Sequence, residues 1–313
     1  MAVTTATPPG VAKRIAAVGL TSVDADTLAG FYAALGFERA GIDLRGGPSF
    51  VHLTGLSRSE ARVVLLRLGE EWLELATFAQ AGRPYPRGGA SNDPWFQHFA
   101  IVVASMQAAH ARLARLKGWT AITQPAPQRL PESSGGVVAF KFRDPEGHPL
   151  ELLEFPQDRM PPLWRARRAS EEERPFLGID HSAIVVANTA RSVEFYERRL
   201  GFVRTGGSLN RGVEQARLDG LREPEVEVTA LAAAAPQPPH LELLCYRAPK
   251  SRAALPAPLE SRDIAATRLL IEIDDAAGVQ RLLDVDDSGP FTHLAGALIH
   301  DPDEHALLLV PRG

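Results

Sequence analysis

One short segment occurs twice in this chain. His98-Phe99-Ala100-Ile101-Val102-Val103 returns as His181-Ser182-Ala183-Ile184-Val185-Val186. Each copy reads as a β-strand with a histidine at its mouth. Each is followed by a later apolar strand with a single glutamate inside it: Glu151 in Leu150-Glu151-Leu152-Leu153 and Glu242 in Leu241-Glu242-Leu243-Leu244. Repetition limits the possible folds more than local propensity does, because a unit too small to bury its own apolar face must pair with another copy.

Two further, weaker copies flank this pair, so the chain divides into four modules. In the first, residues 15–23 read as a strand and 24–35 as a helix, with Leu28, Phe31, Tyr32 and Leu35 on one face. Asp24 suits the N-cap and Gly36 the C-terminal cap. Strands are expected near 50–53, over 63–66 and over 72–75. The second module places strands at 98–103, 137–142 and 149–155, with a helix over 106–116. Its last two strands flank the turn Asp144-Pro145-Glu146-Gly147-His148. The third has strands at 181–186, 226–230 and 240–246 and a helix over 192–200. The fourth has strands at 269–273 and 306–310, a helix over 276–283 and a second turn at His300-Asp301-Pro302-Asp303-Glu304-His305. Each module is thus expected to be βαβββ. Residues 157–177, rich in proline and in runs of like charge, read as a solvated surface linker, and 247–262 as a second connector.

Composition narrows the function. A net charge of −4 gives no electrostatic argument for nucleic acid or an anionic membrane. No stretch approaches the length of apolar sequence that a spanning helix needs. The lone Cys245 suits a reducing compartment, and the N-terminus does not read as a signal peptide, so a cytoplasmic location is expected. The expected partner is a small molecule, with neither nucleic acid nor membrane, for a monomer or homodimer.

The charges inside the apolar strands carry the functional argument. A glutamate within Leu-Glu-Leu-Leu is costly to bury unless it is paired or bound to a metal. Two matched His/Glu pairs give His98, Glu151, His181 and Glu242 as candidate metal ligands. Alignment of the modules places Ala17 and Thr267 at the histidine position of modules one and four, and Glu74 and Leu308 at the glutamate position. Imidazole and carboxylate together suit one divalent ion of the Ni, Co, Fe, Mn or Zn group. His148 and His305 lie in turns and read as structural. His240 has no partner pattern. The polar stretch from Asn210 to Gln215 reads as a loop that either lines a cleft or is merely exposed.

Phe31-Tyr32…Leu35-Gly36-Phe37, its echo Phe195-Tyr196…Leu200-Gly201-Phe202, the Asp144–Leu152 turn-and-strand and the two His-x-x-Ile-Val-Val segments together resemble the vicinal oxygen chelate superfamily. That superfamily includes glyoxalase I, bleomycin-resistance proteins, methylmalonyl-CoA epimerase and the extradiol dioxygenases. The resemblance runs from about residue 15 to 311. It implies an α+β fold in which four βαβββ modules pair into two curved eight-stranded sheets, with ligands drawn from the first and last strands of each module. Paired in sequence, the modules would form domains 12–156 and 178–313, and the first would hold Glu74, His98 and Glu151. Paired two with three, they assemble the full quartet in one cleft, the arrangement favoured here. By ligand pattern the resemblance is closest to metal-dependent glyoxalase I. It implies a lyase or isomerase acting on a small substrate chelated through vicinal oxygens, via a metal-stabilised enediolate, with Glu242 or Glu151 moving the proton. The alternatives are an extradiol-type ring-cleaving dioxygenase and a metal-free binding or resistance protein.

Overall fold

The computed structural model describes residues 12–170, 174–235, 237–251, 253, 258–274 and 296–311. The first module comprises β1 (Ala12–Thr21), α1 (Ala25–Ala34), β2 (Glu38–Arg45), α2 (Gly47–Thr54), β3 (Ala61–Leu68) and β4 (Glu71–Phe78). The second comprises β5 (Gln97–Val103), α3 (Met106–Leu113), the two-residue strands β6 (Thr120–Ala121) and β7 (Gln128–Arg129), β8 (Val138–Arg143) and β9 (Pro149–Glu154). Helix α4 (Pro162–Ser170) follows. The third module holds β10 (Phe176–Val185), α5 (Thr189–Leu200), β11 (Val203–Arg211), α6 (Val213–Asp219), β12 (Glu225–Ala232) and β13 (His240–Ala248). In the fourth, β14 (Arg268–Ile273), β15 (Ala297–His300) and β16 (Ala306–Pro311) are described. The helix expected over 276–283 lies outside the described residues.

The sheets do not follow the sequential division into 12–156 and 178–313. One sheet runs β15-β16-β14-β1-β4-β3-β2, joining modules one and four. The other runs β11-β12-β13-β10-β5-β9-β8-β6, with β7 on β8, joining modules two and three. The joints are antiparallel pairs of first strands, β1 with β14 and β5 with β10. First strands keep one edge free of their own module, and like edges pair about a local two-fold.

Strand alternation sorts the side chains. Phe99, Ile101 and Val103 of β5, Leu150 and Leu152 of β9, and Leu241 and Leu243 of β13 enter one large core shared by both sheets and by α1, α3 and α5. His98, Glu151 and Glu242 point the other way, into a cavity. Asp24 caps α1 through the amides of Asp26 and Thr27, as expected. Helix α5 begins at Thr189 on an Asn188 cap, earlier than its apolar spacing suggests.

Three elements depart from expectation. Residues 47–54 form a helix where a strand was expected near 50–53. Pro48 opens it, Gly55 closes it in the left-handed region, and Phe50, Leu53 and Thr54 are buried on one side. The linker contains α4, whose Trp164 is only 2% exposed and whose Arg167 grips buried Glu71 at 2.6 and 2.9 Å. The stretch from Asn210 to Gln215 is the end of β11 and the start of α6, not a free loop.

The aromatic and turn motifs meet in space. Tyr32 of α1 donates to Asp144 at 2.9 Å. Asp144 also accepts three backbone amides of its own turn and faces Nδ1 of His148 at 2.8 Å, while His148 Nε2 lies 2.9 Å from the Thr21 carbonyl. Burial opposes charge on His148, yet Asp144 outweighs it and raises the imidazole pKa. The other half repeats the clasp, with Tyr196 on Asp301 at 3.1 Å and His305 on the Val185 carbonyl at 2.7 Å. Each clasp ties a strand or helix of one sheet to a turn of the other, so both turn histidines are structural. Tyr32→Phe is expected to lower unfolding stability by about 1–2 kcal/mol, as for loss of a buried bond to a charged acceptor. Urea denaturation would check this, and a change below about 0.3 kcal/mol would contradict the role given to the clasp.

Candidate metal centre

Four strands carry the site. In the β5–β10 pair, His98 lies opposite Ala183 and His181 opposite Ala100. In the parallel pairs beside it, Ala100 lies opposite Glu151 and Ala183 opposite Glu242. Each glutamate therefore lies beside the alanine that faces the other module's histidine. The His98 and His181 rings are 5.7 Å apart between centroids. His98 Nε2 is 2.9 Å from Glu151 Oε2, and His181 Nε2 is 3.6 Å from Glu242 Oε2. One donor atom each from His98, Glu151 and His181 can be chosen so that all lie within 4.8 Å of one another.

The donors suit a divalent cation. Both ring nitrogens of His98 and Nε2 of His181 are buried without a hydrogen-bond partner, because the short His98–Glu151 approach lacks hydrogen-bond geometry. His181 Nδ1 is held by Asp180 at 3.0 Å, and Asp180 in turn accepts the Trp164 indole N–H at 2.9 Å. A carboxylate on Nδ1 fixes the ring and leaves Nε2 to face an ion. Burial would raise the pKa of Glu151, but Lys141 and His98 hold it below the usual carboxylate value. Burial acts likewise on Glu242, and His181 and His240 hold it well below that range. Both carboxylates are thus ionised at neutral pH. Burial opposes charge on His181, but Glu242 and Asp180 outweigh it and lift its pKa to about 9. Burial dominates at His98 and pushes its pKa down. A proton on His181 thus balances part of the carboxylate charge around it.

The cavity around these groups has a volume of about 590 Å³. His240 belongs to it although its sequence showed no partner pattern. It lies opposite His181 across the β10–β13 pair, with ring centroids 5.3 Å apart and Nε2 3.6 Å from Glu242 Oε1. The available signal was its place two residues before Glu242, on the same strand face. Lys141, directly opposite Glu151 on β8, was also missed. It is buried and pairs with Asp219 at 2.7 Å, and Asp219 and Glu151 raise its pKa against the effect of burial. Asn210 and Gln215 do line the cavity.

The sheet of modules one and four shows the same frame without these donors. Gly19 lies opposite Glu74 and also opposite Arg268, and Leu270 lies opposite Leu308. This register puts Ala17 and Leu308 where alignment placed them. It puts Arg268, not Thr267, at the fourth histidine position. The one-residue shift matters because it turns the opposite side chain to the concave face. Glu74 is gripped by Arg45 at 2.6 and 2.7 Å, so the alternative set of Glu74, His98 and Glu151 is not assembled: Glu74 stands on the other sheet. Burial lowers the Arg268 pKa to about 10. Helix α2 packs Leu53 against Ala17, Leu270 and Leu308, and the space left beside Arg45 and Arg268 is only about 30 Å³.

Residues 178–308 match the family model of the Glyoxalase/Bleomycin resistance protein/Dioxygenase superfamily. That match spans modules three and four, which lie in different sheets. The chain as a whole has the vicinal oxygen chelate fold, with its modules paired as just described. Glyoxalase I from Zea mays is similar over 95% of this chain and 92% of its own, at 18% identity and a TM-score of 0.58. A point mutant of the maize enzyme superposes with a TM-score of 0.59 at 17% identity, again over 95% and 92%. A proposed dioxygenase from Bacillus subtilis covers 96% of this chain and 86% of its own, at 14% identity and a TM-score of 0.54. At such identities the likeness is one of fold. No protein of curated function matches the sequence.

In the sheet of modules one and four, Arg45→Ala strands Glu74, whose side chain is 12% exposed, without its guanidinium. It is expected to cost about 3–5 kcal/mol, as for one partner lost from a buried pair. Adding Glu74→Leu should restore most of that loss. Thermal or urea unfolding of both variants would check it, and equal instability of the single and double variants would contradict the assignment.

Proposed function

We propose that the chain is a divalent-metal-dependent lyase or isomerase of the glyoxalase type. It would act on a small substrate that presents two adjacent oxygens to an ion held by His98, Glu151, His181 and Glu242. The observation that carries this reading is the approach of the buried, unpartnered Nε2 atoms of His98 and His181 to two ionised carboxylates in one cavity. Bound there, a divalent ion supplies a Lewis acid that polarises a carbonyl and acidifies the neighbouring C–H.

The protein's own groups divide the remaining work. Glu151 is fixed, with its side chain 8% exposed and Lys141 and His98 beside it. Glu242 is 23% exposed, opens on the cavity and lies near His240, so it is the carboxylate assigned to take and return the substrate proton. A carboxylate held at low pKa removes only an acidified proton, which limits it to a C–H beside a polarised carbonyl. Lys141 balances the carboxylates and orients any developing negative oxygen toward that end of the cleft.

A second reading has its own support. The donor atoms of His98, His181 and Glu151 lie within 4.8 Å of one another, and two histidines with one carboxylate suit an Fe(II) oxygenase. Oxygen uptake with catechol by the Fe(II)-loaded protein would favour that reading.

Two outcomes test the proposal. Protein prepared without chelator is expected to hold about one divalent ion per chain, and His98→Ala and His181→Ala to lose it. Glu74→Gln should keep it. Elemental analysis would check all four proteins, and metal retained in His181→Ala would refute the assigned ligand set. In deuterated water the metal-saturated enzyme should exchange the hydroxymethyl protons of hydroxymethyl phenyl ketone. Glu242→Gln should slow that exchange by about a hundredfold to ten-thousandfold, the span expected on removing a general base. NMR would follow it, and unchanged exchange would remove Glu242 from the role.

A further inference from the structure

We infer that the cleft selects a neutral, largely apolar substrate carrying a hydrogen-bond donor at the end away from the metal ligands, and excludes anionic thiol conjugates. This rests on the proposed reading of the site and names the ligand class for it. The first observation is charge. Among the described residues lining the cavity there is no arginine, and the one lysine, Lys141, is already bound to Asp219 at 2.7 Å. Glu151, Glu242 and Asp180 line the same space. A glutathione or coenzyme A adduct brings carboxylates or phosphates that need cationic partners, and none is free here. The divalent ion of the proposed reading balances Glu151 and Glu242, and Asp180 remains to disfavour an anion in a confined cleft of low dielectric.

The second observation is the wall. Phe155, Trp164, Val226 and Leu244 face the cavity, and Leu163, Pro161 and Pro238 stand at the same cleft. Leu163, 38% exposed, adds accessible apolar surface to this lining. Such a surface fits an aromatic or alicyclic body.

The third observation is one unpaired atom. Gln215 on α6 is 3% exposed and lines the cavity. Its Nε2 donates to Asp219 at 2.7 Å, and its Oε1 has no partner. The orientation is not arbitrary. Asp219 also accepts from Lys141 and from the Tyr246 hydroxyl at 3.0 Å, so a flipped amide would set oxygen against carboxylate. A buried acceptor left unpaired carries a desolvation cost that a ligand hydroxyl or N–H would relieve. Gln215 is reached from Glu151 by way of Lys141 and Asp219, which places this acceptor beyond the ligand pole.

The test uses Trp164 as reporter. Fluorescence titration at neutral pH compares hydroxymethyl phenyl ketone, its para-hydroxy and para-methoxy derivatives, and S-lactoylglutathione, on metal-loaded and metal-free protein. The neutral ketones should quench and bind more tightly than the thioester. The para-hydroxy compound should bind about tenfold more tightly than the para-methoxy one, as one satisfied buried acceptor predicts. In Gln215→Met that difference should vanish while the parent ketone binds within about twofold of wild type. Tighter binding of S-lactoylglutathione, no quenching by any ketone, or an equal hydroxy-to-methoxy ratio in both proteins would overturn the inference. The wild-type comparison stands even where the variant fails to fold. A protein that takes up no metal yet binds the neutral ketones would overturn the proposed chemistry and leave the ligand class standing.

Discussion

The antiparallel seam between β5 and β10 is the constraint on which the site depends. Both strands are buried along their whole length, so their register cannot slip without moving a complete apolar face out of the core. That register sets His98 opposite Ala183 and His181 opposite Ala100. The outer neighbours β9 and β13 run parallel to the seam strands and place each glutamate beside one of those alanines. Small residues at the crossing points leave room in which four polar side chains converge. The donors come from sequence positions more than a hundred residues apart at the extremes, yet none is separated from the seam by more than one strand.

The sister sheet shows what the same frame becomes without the His/Glu donors. The β1–β14 seam repeats the geometry, but Ala17 supplies no donor, Leu308 no charge, and Arg268 a fixed cation. Glu74 survives because Arg45 neutralises it through two hydrogen bonds. The short helix that follows the second strand differs in parallel. In module one, α2 sends Phe50 and Leu53 inward and fills the concave face. In module three, α6 presents Gln215 and Leu218 to an open cavity. Loss of ligands and loss of cavity thus occur together. A buried carboxylate needs a cation, mobile or covalent, and a covalent one removes any reason to keep the space around it open.

Much of this was legible in the sequence because two periodicities coincide. The alternation in His98–Val103 and His181–Val186 fixed which residues face inward, and the module repeat fixed which strands are equivalent. Together they pointed to His98, Glu151, His181 and Glu242 and to the two-with-three pairing that brings these side chains to one cavity. Sequential order suggested the opposite partition, since adjacency along the chain says nothing about which free strand edge finds which. Arg268 was assigned one residue out because Thr267 and Arg268 differ only in strand face, and face depends on register across the seam. His240 and Lys141 were legible in principle, as each shares a strand face with a glutamate or lies across from one. Trp164 was not, because its role depends on how α4 folds back over the cleft, and Gln215 was marked only as part of a stretch that either lines a cleft or is exposed.

The two ends of the cleft are not independent. Asp219 holds Lys141 with one oxygen and both Gln215 and Tyr246 with the other. Lys141 is at the same time the cross-strand neighbour of Glu151. One carboxylate therefore sets the position of Lys141 and the direction of the buried, unpaired Gln215 amide oxygen. An arrangement fixed before a ligand arrives loses little conformational entropy on binding. Electrostatic stabilisation of a transition state also depends on dipoles that need not reorganise. The same economy explains the apolar wall. With charge balanced along the Glu151–Lys141–Asp219 path, much of the remaining wall is apolar, with Phe155, Trp164, Val226 and Leu244 in it. It can be given over to shape.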